Sequence, residues 1–172
     1  MAIFLKENFN SFKNKPLVFC SKGIDTKYCL FQTEIAERFL DKKLFSVLSG
    51  PGFASDIVKE KPIALSLACK NVNLGKKLQH MLSSQSIRIY LNNDLIGTQL
   101  GGALKNVIAI ACGIADANEL GESAKSAIIT RGFSEIRQIG KTFGCKIETL
   151  FGLSCFCLLY TSPSPRDQRG AR

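Results

Sequence analysis

One stretch limits what this chain can fold into. Residues 97–118 read G-T-Q-L-G-G-A-L-K-N-V-I-A-I-A-C-G-I-A-D-A-N. Length and composition predict a single long buried helix. Leu100, Ala103, Leu104, Val107, Ile108, Ile110 and Ala111 cover most of its circumference, as a core helix requires. Gly97, Gly101 and Gly102 leave a flat side against which another backbone can pack closely. Lys105 interrupts the apolar surface, and Asn106 follows it. A lysine in such a place costs several kcal/mol unless it is solvated, paired or functional. On the residues alone two readings stay open. The stem can snorkel to water, or the ammonium is held in the helix for its chemistry.

The residues before this helix alternate between two patterns. Leu17 to Cys20 is a short apolar run, consistent with a buried strand, and Ser21-Lys22-Gly23-Ile24 follows as a turn. Lys22 is thus placed just past a strand's carboxyl end, where open α/β sheets bind ligands. An ordinary solvated loop lysine is the other reading. Residues 33–40 have helical spacing, residues 45–48 read as the next strand, and Ser49-Gly50-Pro51-Gly52-Phe53-Ala54 as the next turn. A helix starting at Ala54 would make this a strand–turn–helix contact for an anion or dinucleotide; most such glycine turns are only turns. Residues 62–69 and 86–91 read as further strands, with an amphipathic helix over 74–82 between them.

The pattern changes after Asn93. Asp94 is an N-cap candidate for the long helix, and a second helix is expected over about 124–143 with Ile128, Ile129, Phe133, Ile136 and Ile139 as its apolar stripe. The expected fold class is therefore an α/β, Rossmann-like partial parallel sheet over residues 1–93, followed by an all-α domain over 94–154. Residues 155–172 end in T-S-P-S-P-R-D-Q-R-G-A-R, which has no structural periodicity, and are expected to be a non-native tail.

Composition narrows the partners. The net charge of +9 suits anionic ligands, and the lysines form no long basic run that would support a nucleic-acid partner. The 7 cysteines include no C-x-x-C pair and there is 1 histidine, so no metal site is expected. Cys20, Cys69 and Cys112 lie in apolar runs and read as buried, reduced thiols, which points to the cytoplasm. No apolar run is expected to span a membrane.

Four segments carry a resemblance. They are Ser49-Gly50-Pro51-Gly52-Phe53-Ala54, Asn93-Asp94-Leu95-Ile96-Gly97, Gly102-Ala103-Leu104-Lys105-Asn106-Val107-Ile108-Ala109 and Ile129-Thr130-Arg131-Gly132. In order and spacing, over residues 17–154, the chain resembles the bacterial type of NAD(P)-dependent glycerol-3-phosphate dehydrogenase. The resemblance implies a Rossmann domain and an all-helical substrate domain. It implies reversible NAD(P)H-dependent reduction of dihydroxyacetone phosphate to sn-glycerol 3-phosphate, a glycerophospholipid precursor, and leaves a homodimer open. It implies that Lys105 is catalytic and meets substrate, and that Lys22 meets both cofactor and substrate. Gly50 and Gly52 would line the substrate, and Ala54 would approach the cofactor. Asn106 would orient these groups, or serve only as a buried tie between helices. The family usually carries Ser or Thr where this chain has Gly52, so a hydroxyl contact is absent.

The departures shape a further expectation. No G-x-G-x-x-G occurs in the chain, and the family's Gly-Asp-Leu and Arg-Asn segments do not follow Gly152-Leu153-Ser154. The chain therefore reads as a truncated, inactive middle of an enzyme that binds nicotinamide dinucleotide weakly. Two rivals remain: a non-catalytic helical interaction module retaining the family core, and a related two-domain hydroxy-acid dehydrogenase.

Overall fold

A computed structural model of the chain describes residues 2–155. Helices α1 (Ala2–Glu7) and α2 (Phe9–Phe12) lead into β1 (Leu17–Phe19). There follow α3 (Gln32–Ala36), a short 3-10 turn, β2 (Phe45–Ser49), α4 (Ala54–Val58), β3 (Ile63–Cys69), α5 (Val72–Leu82) and β4 (Ile87–Asn92). The chain then becomes helical, with α6 (Leu95–Ala117), α7 (Gly121–Thr142) and α8 (Ile147–Phe151). The Rossmann-like half and the helical half thus follow one another as expected. The expected tail lies outside the described residues, apart from Cys155, which is buried.

The four strands form one sheet in the order β1-β2-β3-β4. The expectation of a parallel sheet is corrected at its centre. β1 and β2 are parallel, as are β3 and β4, but β2 and β3 are antiparallel, with Ser46 opposite Cys69 and Ser49 opposite Ser66. The physical reason is the connection. A parallel return needs a crossover that packs across the sheet, usually a helix. Between β2 and β3 the only helix is α4, of 5 residues with none of them buried. It cannot cover a sheet face, so the chain doubles back. Between β3 and β4 the 11 residues of α5 bury Gly75 and Leu78 and make a true crossover.

The sheet has two covered faces. On one, Leu67 and Ile89 pack against Leu78 of α5. On the other, Phe19, Phe45, Val47 and Ala68 pack against Leu5, Ala36 and Leu95. Gln99 of α6 locks this second face. Its amide donates to Thr33 Oγ1 at 2.9 Å, and its carbonyl accepts from the Thr33 backbone N–H at 3.2 Å. Ile108, Cys112, Phe133, Ile136, Leu150 and Cys155 form a third core between α6, α7 and the α8 segment. Gly132 lets the two long helices approach, since a Cβ there would sit 2.7 Å from Ile108 Cδ1.

Several local expectations are corrected. The helix read over 33–40 ends at Ala36 and continues only as turns. α8 carries no pattern that had been recognised in sequence; at 5 residues it is too short to show one. α6 is not buried around its whole circumference, because Val107, Ile110 and Ile114 are more than half exposed. By length and composition α6 could cross a membrane, contrary to expectation, but it packs against β2, β3, α7 and α8 and holds a buried lysine, as a core helix does. Cys69 and Cys112 are buried, whereas Cys20 is exposed at the end of β1.

Asp94 joins the two halves. It caps α6, its carboxylate accepting the Gly97 N–H at 2.7 Å, and its other oxygen accepts the backbone N–H of Lys146 at 2.7 Å. Lys146 is the residue that precedes α8. Replacing Asp94 by Ala is expected to lower the unfolding free energy by about 2 kcal/mol, from a lost cap and an orphaned N–H. Urea titration at neutral pH measures this, and a change under about 0.5 kcal/mol would deny the bridge that role.

Candidate active site

The parallel pair β1 and β2 sends both carboxyl ends to the same edge of the sheet. Lys22 leaves from the turn after β1, and Ser49 and Gly50 close β2. α6 starts beside the far end of β2, where Leu95 joins Phe45 and Val47 in one core. It climbs about 1.5 Å per residue and so brings Gly102 and Lys105 to the level of that edge. A Cβ built on Gly102 would lie 3.4 Å from Ser49 Oγ and 3.6 Å from Lys22 Cγ. The glycine therefore lets the stem of Lys22 and the end of β2 lie directly on the helix.

Lys105 is one turn further along α6 and is 6% exposed. Lys22 comes close enough for its charge to act on Lys105. Burial first, and then the neighbouring Lys22, push Lys105 down to about 7; the nearby Cys155 works in the other direction. The side chain as a whole is covered rather than standing out from the helix, which weighs against the snorkelling reading. A lysine lowered toward neutrality is suited both to giving and to taking a proton.

The other residues singled out in sequence divide into two groups. Gly50 is buried at φ +151°, and a Cβ there would meet the backbone of Leu65 at 3.0 Å and of Ala64 at 3.1 Å. Its glycine character is thus explained by the close pass of β3, whatever else it does. Gly52 is exposed, and the tight contact of a Cβ there would be with the movable tip of Leu65 at 3.0 Å. Ala54 opens α4 and is exposed. With 5 residues, α4 offers only a weak dipole to an anion. Asn106 is exposed on α6, so the reading as a buried tie between helices is corrected; the next residue along a helix turns about 100° away from Lys105. Lys22, Lys105, Gly102 and Ser49 are brought together; Asn106 is not. The sequence assigns no site role to Ser49 or Gly102. The signal for Ser49 is a hydroxyl at the end of a strand, directly before a glycine turn.

The cavities do not mark this place. One of about 580 Å³ lies at the end of α7, lined by Arg137, Lys141 and Cys145 among others. Another of about 650 Å³ lies between the end of β4 and the α8 segment, lined by Tyr90, Asn92 and Thr149 among others. Neither includes Lys22 or Lys105. It is the buried Lys105 beside the exposed Lys22 that singles out the site.

Comparison with known proteins agrees with this assembly. The family models for the N-terminus and the C-terminus of NAD-dependent glycerol-3-phosphate dehydrogenase match residues 3–75 and 94–171. A glycerol-3-phosphate dehydrogenase from Parvibaculum lavamentivorans is 40% identical over 157 residues, which is 91% of this chain and 47% of that protein. One from Roseobacter denitrificans is 45% identical over 158 residues, 90% of this chain and 49% of that protein. The crystal structure of the Coxiella burnetii glycerol-3-phosphate dehydrogenase superposes with a TM-score of 0.83 at 32% identity, covering 94% of this chain and 50% of that one. The chain spans about half the length of the curated relatives it matches. With both halves of one family recognised in sequence, and the same fold in a solved member, the chain belongs to the NAD-dependent glycerol-3-phosphate dehydrogenase family.

Proposed function

We propose that these residues are the proton-transfer centre of an NAD(P)H-dependent reduction of dihydroxyacetone phosphate to sn-glycerol 3-phosphate. The single observation that carries this is Lys105, buried in α6 and held near neutrality beside Lys22. The nicotinamide cofactor, when bound, supplies the hydride. The residues present fit only its reactive end, since Lys22 and Ala54 stand at the strand-end edge while no glycine-rich phosphate loop exists in the chain.

The chain's own part is electrostatic. Reducing a ketone turns its oxygen into an alkoxide, which must be neutralised. Lys105 Nζ donates that proton, and the apolar helix around it keeps competing water out. Lys22 brings positive charge to the same place, where it faces the developing oxyanion and the substrate phosphate. That phosphate also opposes the charge of Lys22, so substrate binding raises the affinity of Lys105 for its proton. The main chain at Gly50 and Gly52 would line the substrate, with no hydroxyl at Gly52, and Asn106 would serve only if the helix face it occupies is covered. A homodimer in the cytoplasm belongs to the same proposal. The unpaired thiols of Cys69 and Cys112 support that location.

The test is oxidation of NADH and NADPH with dihydroxyacetone phosphate, on this chain and on the same residues within the full-length frame of a relative. Lys105→Ala is expected to lower kcat at least about a hundredfold. Near-normal turnover in that variant would remove Lys105 from the mechanism. The direction of the pH dependence follows from the role. Ketone reduction needs protonated Lys105, so kcat/KM should fall as pH rises through about 7, and alcohol oxidation should rise over the same range.

Stability should report the same group without turnover. In the unfolded chain a lysine keeps its proton to about pH 10.4, whereas folded Lys105 loses it near 7. Between these values the unfolded state binds more protons, so the native state is progressively destabilised as pH falls from about 10 to about 7, and no further below. Lys105→Met removes this dependence. Denaturant melts of both proteins should differ most at about pH 7 and below, in favour of the variant, and converge at about pH 10. A difference that does not change with pH would show that Lys105 is charged throughout.

A further inference from the structure

A hydroxyl lies on the floor of the lysine site with nothing to bond. Ser49 is 5% exposed, and its Oγ has no hydrogen-bond partner among the described residues. Its cross-strand neighbour Ser66 is already engaged, accepting from Asn92 Nδ2 at 2.7 Å. A buried hydroxyl without a partner costs about 1–3 kcal/mol, which an alanine at this strand end would avoid. Gly102 faces it, with its would-be Cβ 3.4 Å from the oxygen and 3.6 Å from Lys22 Cγ. Helical side chains lean toward the N-terminus and over the preceding turn. Lys105, three residues on, is thus aimed back along α6 toward the turn that holds Gly102.

We propose that Ser49 is a positioning residue of the lysine pair, its Oγ accepting a hydrogen bond from the Lys105 ammonium when that group carries its proton. Lys22 is the charged neighbour that acts most on Lys105. Once protonated, the two ammonium groups are both donors only and repel one another. Lys22 is exposed and free to swing out; Lys105 is buried and stays. The titratable groups that face Lys105 are Lys22, from the turn after β1, and Cys155, from the segment after α8. No carboxylate is among them. The neutral oxygen of Ser49 supplies an acceptor without trapping the proton in an ion pair, so Lys105 remains able to give it up. Ser46 is the internal comparison. Its Oγ is equally buried and unpartnered, but it lies on the other face of the sheet, three residues back along β2 and opposite Cys69.

For its effect on rate the inference rests on Lys105 as proton donor, but the hydrogen bond is testable without turnover. The chain is labelled with carbon-13 lysine, and the Cε resonance of Lys105, identified by its loss in Lys105→Met, is titrated with pH. An acceptor favours the charged form, so its removal should ease deprotonation. Ser49→Ala is expected to give about threefold more neutral Lys105 at about pH 6. Ser49→Cys, nearly the same size and a weaker acceptor, should move the curve in the same direction and covers the case that the alanine variant folds poorly. Ser46→Ala should leave it in place. An unchanged Lys105 curve in a folded Ser49 variant would overturn the inference, as would an equal shift from Ser46→Ala. Were the proton-donor reading wrong instead, Lys105→Ala would turn over normally while the titration shift persisted.

Discussion

The carboxylate of Asp94 is the interaction on which the arrangement of this chain depends. It lies where the sheet ends and the helices begin, and it binds in both directions. One oxygen caps α6 and the other holds the backbone of Lys146, a contact spanning 52 residues. A Cβ at Gly97 would overlap this carboxylate, so the glycine and the aspartate form one device. The cap fixes where α6 begins and its direction over β2. That direction in turn sets the level at which Gly102 and Lys105 reach the edge of the sheet. A helix begun one residue later would rotate Lys105 by about 100° and take it out of the site.

The buried lysine shows what the fold gives up for chemistry. Leucine or methionine at position 105 would pack on the same surface without the desolvation that drives Lys105 down to about 7. The two long helices absorb this through a core of Ile108, Cys112, Phe133, Ile136 and Leu150 next to it. Proton donor and destabilising element are the same atom. For that reason the pH dependence of rate and of folding are two readings of one equilibrium.

The sheet and α6 have complementary loose ends. β1 and β2 pair directly and in parallel, so their carboxyl ends lie beside each other. On the outer side of α6, Val107, Ile110 and Ile114 form an exposed apolar stripe. An exposed apolar stripe of that kind is a surface that a partner element can cover.

Much of this organisation was legible from residue order. The 3.6-residue period of α6 and α7, the apolar runs of the strands, the cap at Asp94 and the switch from α/β to all-helical after residue 93 are local signals, set by which side chains can share a face. So was the oddity of a lysine inside an apolar helix. What residue order could not carry is pairing. Whether β3 runs with or against β2 depends on whether the short α4 can cover the sheet, a question of tertiary packing. Which faces of α6 are buried depends on what packs against it, so Asn106, adjacent to Lys105 in the chain, turns away from the site. Conversely, Ser49 and Gly102 are distant in sequence and stand in contact only because β2 and α6 cross there. The lowered proton affinity of Lys105 is of the same kind. The residue type permits it, but only burial and the approach of Lys22 from another element bring it about.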